Sequence, residues 1–506
     1  MEEPVDIAIL GSGIACTSTL IEVFRKLIAG IPNQRKITIT VIEKNREFWL
    51  GIPYGSRSSV NALTITSVYG FFTNEQERSR FFDWFGINKD ELFTYYLEKG
   101  GLTAEQWLAR NKEAIANEDY KNVYLPRFMC GRYQQSKFNS LLKTVNDKQL
   151  ATLNLITAEA IDIQPAGSGY EVTYENTDKS ITTLNAAKVV IATGSAPVKD
   201  VLQNVEGITY INNLYEPGAE ANITTIAATL AAVENMVDRN VLLVGSNASS
   251  IELLYLLAGM PGLTTLINKL LVVSRSGLFP YHIINQTLDS YPCQNLDKLA
   301  AAGNYTITTL VDAAAQDIKV AVKDGVIVAY IDRVIGYTME LLQPLGEGAK
   351  KQFLGIYGMQ LSNQFRRSGT DYKGGETALL AMEKLTMLKG SFVSIDDSGL
   401  LHYTATETNI AETYPTPFKV VINCTGANDL AESSSRLIYN LVHNKIAEVN
   451  LSGKGFYVNE KFEAAPNLHV MGPLLGGNMN ERIHFWHLEN ASRLMYLAPY
   501  LADCLL

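Results

Sequence analysis

Residues Val5–Cys16 read VDIAILGSGIAC. Val5–Leu10 is a short apolar run broken only by Asp6, as expected of a central parallel strand. Gly11-Ser12-Gly13-Ile14-Ala15-Cys16 follows, a GxGxx pattern closed by a small residue. Gly11 permits a tight turn, Gly13 lets backbone approach a diphosphate, and Cys16 allows close packing of helix on strand. The helix starting there turns its positive end, with the backbone of Ser12, Ile14 and Ala15, toward the phosphates. A second strand, Lys36–Ile42, runs into Glu43-Lys44, where a carboxylate can accept hydrogen bonds from a ribose. Glu43 lies 32 residues past Gly11, later than the usual interval of about 20. The loop Ala29–Arg35 accounts for part of the delay. Strand, glycine turn, helix, strand and acid in this order predict a dinucleotide site.

A second unit opens at Val241–Leu257, VLLVGSNASSIELLYLL. Gly245 and Ser246 repeat the start of the pattern, but Asn247 stands where the second glycine belongs. Asparagine enters the left-handed backbone region more readily than most residues, and its Cβ holds a diphosphate farther away. Ser250 keeps the third position small, and Glu252 opens the expected exposed face of the helix. The next strand, Leu270–Val273, ends in Ser274-Arg275-Ser276-Gly277 rather than in a carboxylate. A hydroxyl and a guanidinium suit a 2′-phosphate, so this site reads as NADPH. Two alternatives stay open: Arg275 is an ordinary surface residue, or Asn247 marks a shrunken pocket that binds no nicotinamide.

Three distant segments read as parts of one site, closing the first dinucleotide site. KVVIATGSAPV (Lys188–Val198) stops at Thr193-Gly194, and KVVINCTGAN (Lys419–Asn428), nearly a copy, stops at Thr425-Gly426. LHVMGPLLGGN (Leu468–Asn478) carries Gly472-Pro473 and leads into a helical stretch through Leu497. ATG-type turns of this kind mark where a two-dinucleotide flavoprotein chain passes between domains. A helix start near Asn478–Arg482, with Asn480 in it, would set N–H groups against the flavin C2 carbonyl.

At 506 residues the chain is long enough for two or three domains. Its 47% apolar and 19% charged residues are those of a folded globular protein. A formal charge of −9 gives no electrostatic case for nucleic acid or an anionic membrane. MEEPVDIAIL lacks the features of a signal peptide, and no apolar run reaches the roughly 18 residues of a spanning helix. Cys16, Cys130, Cys293, Cys424 and Cys504 form no CxxC pair. A disulfide framework, a zinc ribbon and a dithiol reductase are disfavoured, and a reduced cytoplasmic setting is expected.

GSGIAC (Gly11–Cys16), GIPYG (Gly51–Gly55), LPRFMCGRY (Leu125–Tyr133), VSRSGLFPYH (Val273–His282), VINCTG (Val421–Gly426) and MGPLLGGNMNER (Met471–Arg482) follow one another along most of the chain. In this order they resemble the bacterial FAD-NAD(P)-binding proteins distantly related to the flavin-dependent N-hydroxylating and flavin-containing monooxygenases. The chain lacks the FxGxxxH signature, which argues against Baeyer–Villiger and flavin-containing monooxygenase activity. The resemblance implies FAD and NADPH as cofactors and names no single substrate.

The expected fold is α/β, with two Rossmann-like dinucleotide-binding units of the three-layer ββα type. Residues 1–200 and 405–506 form a discontinuous FAD domain, and 236–404 a nicotinamide domain with a helical insertion at 331–374. Leu153–Thr183 reads as a small meander, and the aromatics Phe81, Phe82, Trp84 and Phe85 as core packing. The loop carrying Tyr54 is expected beside the flavin ring, with Asn61 and Ser67 on the same excursion. Arg127 or Arg132 is a candidate to hold a carboxylate or the flavin phosphates, with a surface or interdomain salt bridge as the equal alternative. Arg366 and Arg367 share that ambiguity, and His282 is a candidate to face the nicotinamide. His484 and His487, near Glu481 and Glu489, fit a helix over the flavin better than a metal site, and no HExxH pattern exists. The leading expectation is an NADPH-dependent monooxygenase that uses oxygen, through a flavin C4a-hydroperoxide, on a small molecule such as an amine or amino acid. A dehydrogenase or reductase without oxygenation, and a nucleotide-bound protein without turnover, are the alternatives. The sequence sets no oligomeric state.

Overall fold

Apolar runs without alternation need cover on both faces, and the first sheet is built from such runs. The computed structural model describes residues 4–30, 35–203, 205–282, 292–324, 327–364, 366–486 and 490–506. Strand β1 (Val5–Leu10) pairs in parallel with β2 (Ile37–Glu43), and β2 with the first part of β3 (Ala151–Ala166). β3 then continues into an antiparallel meander with β4 (Gly169–Asn176) and the start of β5 (Ile181–Ile191). The rest of β5 returns parallel to β1 on its other side, placing Leu10 beside Ile191. Leu468–Val470 adds to β5 in parallel, and Glu463–Ala465 pairs antiparallel with it.

Helix α1 (Ile14–Ala29) follows β1 and buries Leu20, Val23 and Phe24 against the sheet. Two short helical turns, Gly51–Tyr54 and Val68–Phe71, and two long helices follow β2. Helix α2 (Glu75–Ala116) is kinked at Gly101, and α3 (Arg127–Asp147) packs on α1. The aromatics of α2 pack as expected, with Phe81 stacked on Phe72 and Phe85.

The second sheet repeats the plan. It is formed by β6 (Thr209–Ile211), β7 (Asn240–Val244), β8 (Lys269–Ser274), β9 (Leu385–Ile395), β10 (Leu401–Ala405), β11 (Ala411–Thr413) and β12 (Val420–Asn423), in the spatial order β11-β10-β9-β8-β7-β12-β6. β7 lies between β8 and β12 as β1 lies between β2 and β5. Helix α4 (Ala248–Ala258) follows β7 as α1 follows β1.

Two expected boundaries differ from this arrangement. β6 and β11–β12 lie outside residues 236–404, yet they belong to the second sheet. KVVINCTG therefore does not join KVVIATG in the first sheet, because an apolar run of this kind suits the interior of either. The helical stretch between β8 and β9 is also wider than 331–374. It includes Gln294–Ala302, Ile307–Lys323 and Ile327–Leu342, and it ends with α5 (Thr370–Ala381).

Helix α6 (Ala491–Leu505) packs along α1 and completes the first core with Leu497 and Leu501. The second core is shared. Phe81, Phe85 and Trp107 of α2 cluster with Leu243, Leu253 and Leu257 of the second unit and with Tyr372 of α5. Among the described residues no helix is long and apolar enough to cross a membrane.

Candidate functional site

Gly11 has φ +92°, and its N–H donates to the Ile42 carbonyl at 2.8 Å. A Cβ on Gly11 would lie 2.5 Å from the Ala192 carbonyl oxygen. The turn is thus clamped between the exits of β2 and β5. Gly13 is extended instead, with φ −71° and ψ −169°, so what glycine supplies here is room. A Cβ on Gly51 would lie 2.9 Å from the Gly13 Cα, which places the GIPYG loop over the GSG loop. Thr17 Oγ1 fastens that loop by donating to the Trp49 carbonyl at 2.8 Å. Gly472, at φ +110°, comes over Ala15, and Pro473 opens the turn that leaves it.

No side chain caps α1, which leaves its first-turn N–H groups for an anion. Glu43 is buried at the end of β2. One carboxylate oxygen accepts from Ser12 N at 2.7 Å and Ser12 Oγ at 2.9 Å, the other from Asn45 N at 2.9 Å. A Cβ-free cradle, an uncapped helix and a fixed carboxylate fit the diphosphate and ribose of a dinucleotide. Lys44 points outward and pairs with Glu159 at 3.5 Å.

The second loop matches the first almost atom for atom. Gly245 has φ +102°, its N–H donates to Val273 O at 2.8 Å, and its Cβ would lie 2.6 Å from Cys424 O. Ser246 Oγ donates to Leu278 O at 2.7 Å and contacts Ser274 Oγ at 3.0 Å, where Ser12 meets Glu43 in the first unit. Asn247 is extended, with φ −87° and ψ −160°. Its expected left-handed backbone is therefore corrected: Asn247 differs from Gly13 in its side chain alone. That side chain does not cap α4.

Arg275 is exposed just beyond β8. Lys389, which the sequence reading missed, is the β9 register partner of Ser274. Its side chain crosses Gly277, and its Nζ lies 3.1 Å from Glu407. Adjacency in the sheet, which a single sequence does not display, was the only signal for it.

Thr193-Gly194 and Thr425-Gly426 stand at the two chain crossings between the units, and these crossings run side by side. Lys199 N donates to Gly426 O at 3.1 Å and Asn428 N to Pro197 O at 2.9 Å. Gly194 and Gly426 both have positive φ and open space at the Cβ position. Tyr54 packs against Gly131 of the GRY motif, so those two motifs meet. Ser67 stands at the N-cap of the helical turn Val68–Phe71, its carbonyl accepting from Phe71 N at 2.9 Å and its side chain making no cap hydrogen bond.

Other candidates are drawn elsewhere. The Arg127 guanidinium pairs with the buried Glu252 at 2.5 Å and is itself partly buried between the units, which is the interdomain salt-bridge alternative. Arg132 is exposed, 5.2 Å above the Tyr95 ring. Asn61 donates to Gly100 O at 3.2 Å and lines a cavity of about 520 Å³ that includes no residue of either glycine loop. His282 Nε2 meets Thr370 Oγ1 at 3.0 Å. The Asn480 N–H is taken by Ile483 O at 2.7 Å, and its side chain accepts from Arg482 N and Ile483 N. A helix start at Asn478–Arg482 is thus replaced by a tight turn between two short strands, and α6 begins later, capped by Asn490. Arg367 pairs with Asp332 at 2.9 Å. His487, Glu489 and the side chain of His484 lie outside the described residues.

A family model described as FAD-NAD(P)-binding matches residues 8–196. Rv3403c of Mycobacterium tuberculosis and Mb3437c of Mycobacterium bovis, both uncharacterized, are each 33% identical over 508 residues, 99% of this chain and 95% of theirs. The chain belongs to the FAD-NAD(P)-binding family. It is a flavoprotein of the two-unit oxidoreductase fold, with FAD and a nicotinamide dinucleotide as cofactors. The fold is also that of the ornithine N-hydroxylase of Kutzneria sp. 744, at TM-score 0.56, 14% identity and 99% coverage of each chain. L-lysine 6-monooxygenase from Pseudomonas syringae shares it at TM-score 0.53, 14% identity and 99% of each. So does the cadaverine monooxygenase DfoA from Erwinia amylovora, at TM-score 0.54 and 12% identity, over 100% of this chain and 94% of that one.

Proposed function

We propose that this flavoprotein is an NADPH-dependent monooxygenase acting on a small molecule, with an amine nitrogen as the group oxidised. The carrying observation is the pair of matched loops clamped at Gly11 and Gly245 on either side of adjacent chain crossings. The first loop and Glu43 hold FAD. The second, with Ser274, Arg275 and Lys389 at the strand ends, holds NADPH through its 2′-phosphate. Bound FAD supplies two-electron chemistry between a reduced nicotinamide and oxygen. The chain itself binds and orients the two dinucleotides. All five cysteines are unpaired, and burial pushes the Cys16, Cys130 and Cys424 thiols well above their ordinary value. This supports direct use of reduced flavin over a dithiol relay.

The uncommitted Asn247 side chain favours a second reading, in which FAD is bound but nicotinamide turnover is lost. Anaerobic NADPH is expected to bleach the flavin absorbance. Labelled oxygen with ornithine, lysine or cadaverine is then expected to give a hydroxylamine carrying the label. A flavin that stays oxidised with NADPH and NADH sinks the proposal. Bleaching without labelled product selects a dehydrogenase or reductase.

A further inference from the structure

A buried polar cluster that neither dinucleotide loop uses ties the two units together. Helix α3 begins at Arg127, whose N–H donates to Ala62 O at 2.8 Å. Its guanidinium turns inward, with Nε donating to Leu63 O at 2.7 Å and a terminal nitrogen 2.5 Å from Glu252 Oε2. Glu252 was expected to face solvent, yet it is 1% exposed. Its other oxygen accepts from the Tyr215 hydroxyl at 2.8 Å. The Tyr372 hydroxyl closes the cluster, 3.2 Å from Glu252 Oε2, 2.9 Å from Leu63 N and 3.0 Å from Leu63 O. One carboxylate thus joins α4, α5, the segment after β6, the start of α3 and the loop at Leu63.

The surroundings of this cluster make its purpose a question. It sits in the apolar core the two units share, and apolar contact alone would hold them together. A buried ion pair is costly to desolvate, and well-packed apolar residues often replace one without loss. What it adds is direction, since apolar surfaces tolerate sliding and a hydrogen-bonded pair does not. Its two ends are placed where direction matters. Glu252 is on the helix that begins at Asn247, and Leu63 is on the excursion that begins at Gly51, over the GSG loop. Helix α2 also makes polar contacts with the second unit, Arg110 with Asp371 at 2.6 Å and Thr103 with Gly259 O at 3.1 Å, neither of which touches this cluster.

We infer that Arg127, Glu252 and Tyr372 are positioning residues that fix the register of the nicotinamide-binding unit on the flavin-binding unit, and with it the distance between the two cofactors. The inference rests on the proposed NADPH-dependent reaction. Two variants of the full-length protein test it. Tyr372→Phe removes one hydroxyl, and Arg127→Met with Glu252→Leu replaces the pair by apolar groups, so that the fold survives in at least one. Spin labels on Ile181→Cys and Val393→Cys, exposed positions on the two sheets, report the distance between the units. The variants are expected to retain FAD and to bind NADPH within about twofold of the parent. Their label distances should broaden, and flavin reduction at saturating NADPH should slow by about tenfold or more, as misplaced reactants require. An unchanged distance distribution in both variants overturns the inference, and so does a broadened one with unchanged reduction. Should the parent protein not be reduced by either nicotinamide, the proposed function fails, while the distance measurement still decides the register.

Discussion

At Gly11 a methyl group is the difference between a closed turn and an open one. Gly11→Ala would set its Cβ against the Ala192 carbonyl at φ +92°, where strain of about 1–3 kcal/mol falls on the flavin loop. The purified variant is expected to carry roughly tenfold less FAD or worse, read as flavin absorbance per protein. Asn247 poses the opposite case, since its backbone is already that of Gly13. Asn247→Gly removes a polar side chain without relieving strain. Nicotinamide affinity should rise by roughly two- to tenfold in a spectral titration, the scale of one hydrogen bond's desolvation. Arg275→Ala and Lys389→Ala should each weaken NADPH by roughly ten- to a hundredfold and leave NADH nearly unchanged, the scale of a charge-assisted contact. Gly11, Gly13 and Glu43 were legible in the sequence because a tight turn and its acid are local. Lys389 was not, because it reaches Ser274 only through strand pairing.

Among the elements, the strand Leu468–Val470 carries a buried histidine into the flavin unit. His469 Nδ1 meets Lys461 O at 2.9 Å, while Nε2 is buried without a partner. Burial holds this imidazole below its ordinary value of 6.5, against the smaller pull of the Lys461 carbonyl and Glu463. The unfolded chain therefore takes up its proton first as pH falls. The stabilisation is complete above about 6.5 and is lost as pH drops toward the folded value. Between pH 7.5 and 5 the Tm of the parent protein should fall more steeply than that of His469→Leu, with FAD release following, because Gly472 is carried on the same segment. At this scale the sequence misled where two segments share a composition. VVIATG and VVINCTG read alike, yet one joins β1 and the other β7. Asn480 looked like a helix start, but its side chain accepts from the N–H groups that follow and makes a turn instead.

Over the whole molecule, two Rossmann-like units were legible, and their fusion was not. Nothing local in Arg127 points to Glu252, and the helix bearing Glu252 looked half-exposed until Tyr372, from far along the chain, covered it. Because α2 contributes Phe81, Phe85 and Trp107 to the second core, the two units should not melt separately. Calorimetry is expected to show one transition, coincident with flavin release. The first sheet adds a constraint of a different kind. β5 waits for Leu468–Val470 at its free edge, and α1 waits for α6 across its back. During synthesis the glycine loop at Gly11 emerges early, but the ribosome must deliver residues 468–505 before that loop has a finished scaffold around it. Until then the nascent chain carries an unpaired strand edge and a bare helix face, both invitations to chaperones and to self-association. Flavin capture by this polypeptide is therefore expected to be a late event, timed by elongation rather than by encounter with the cofactor.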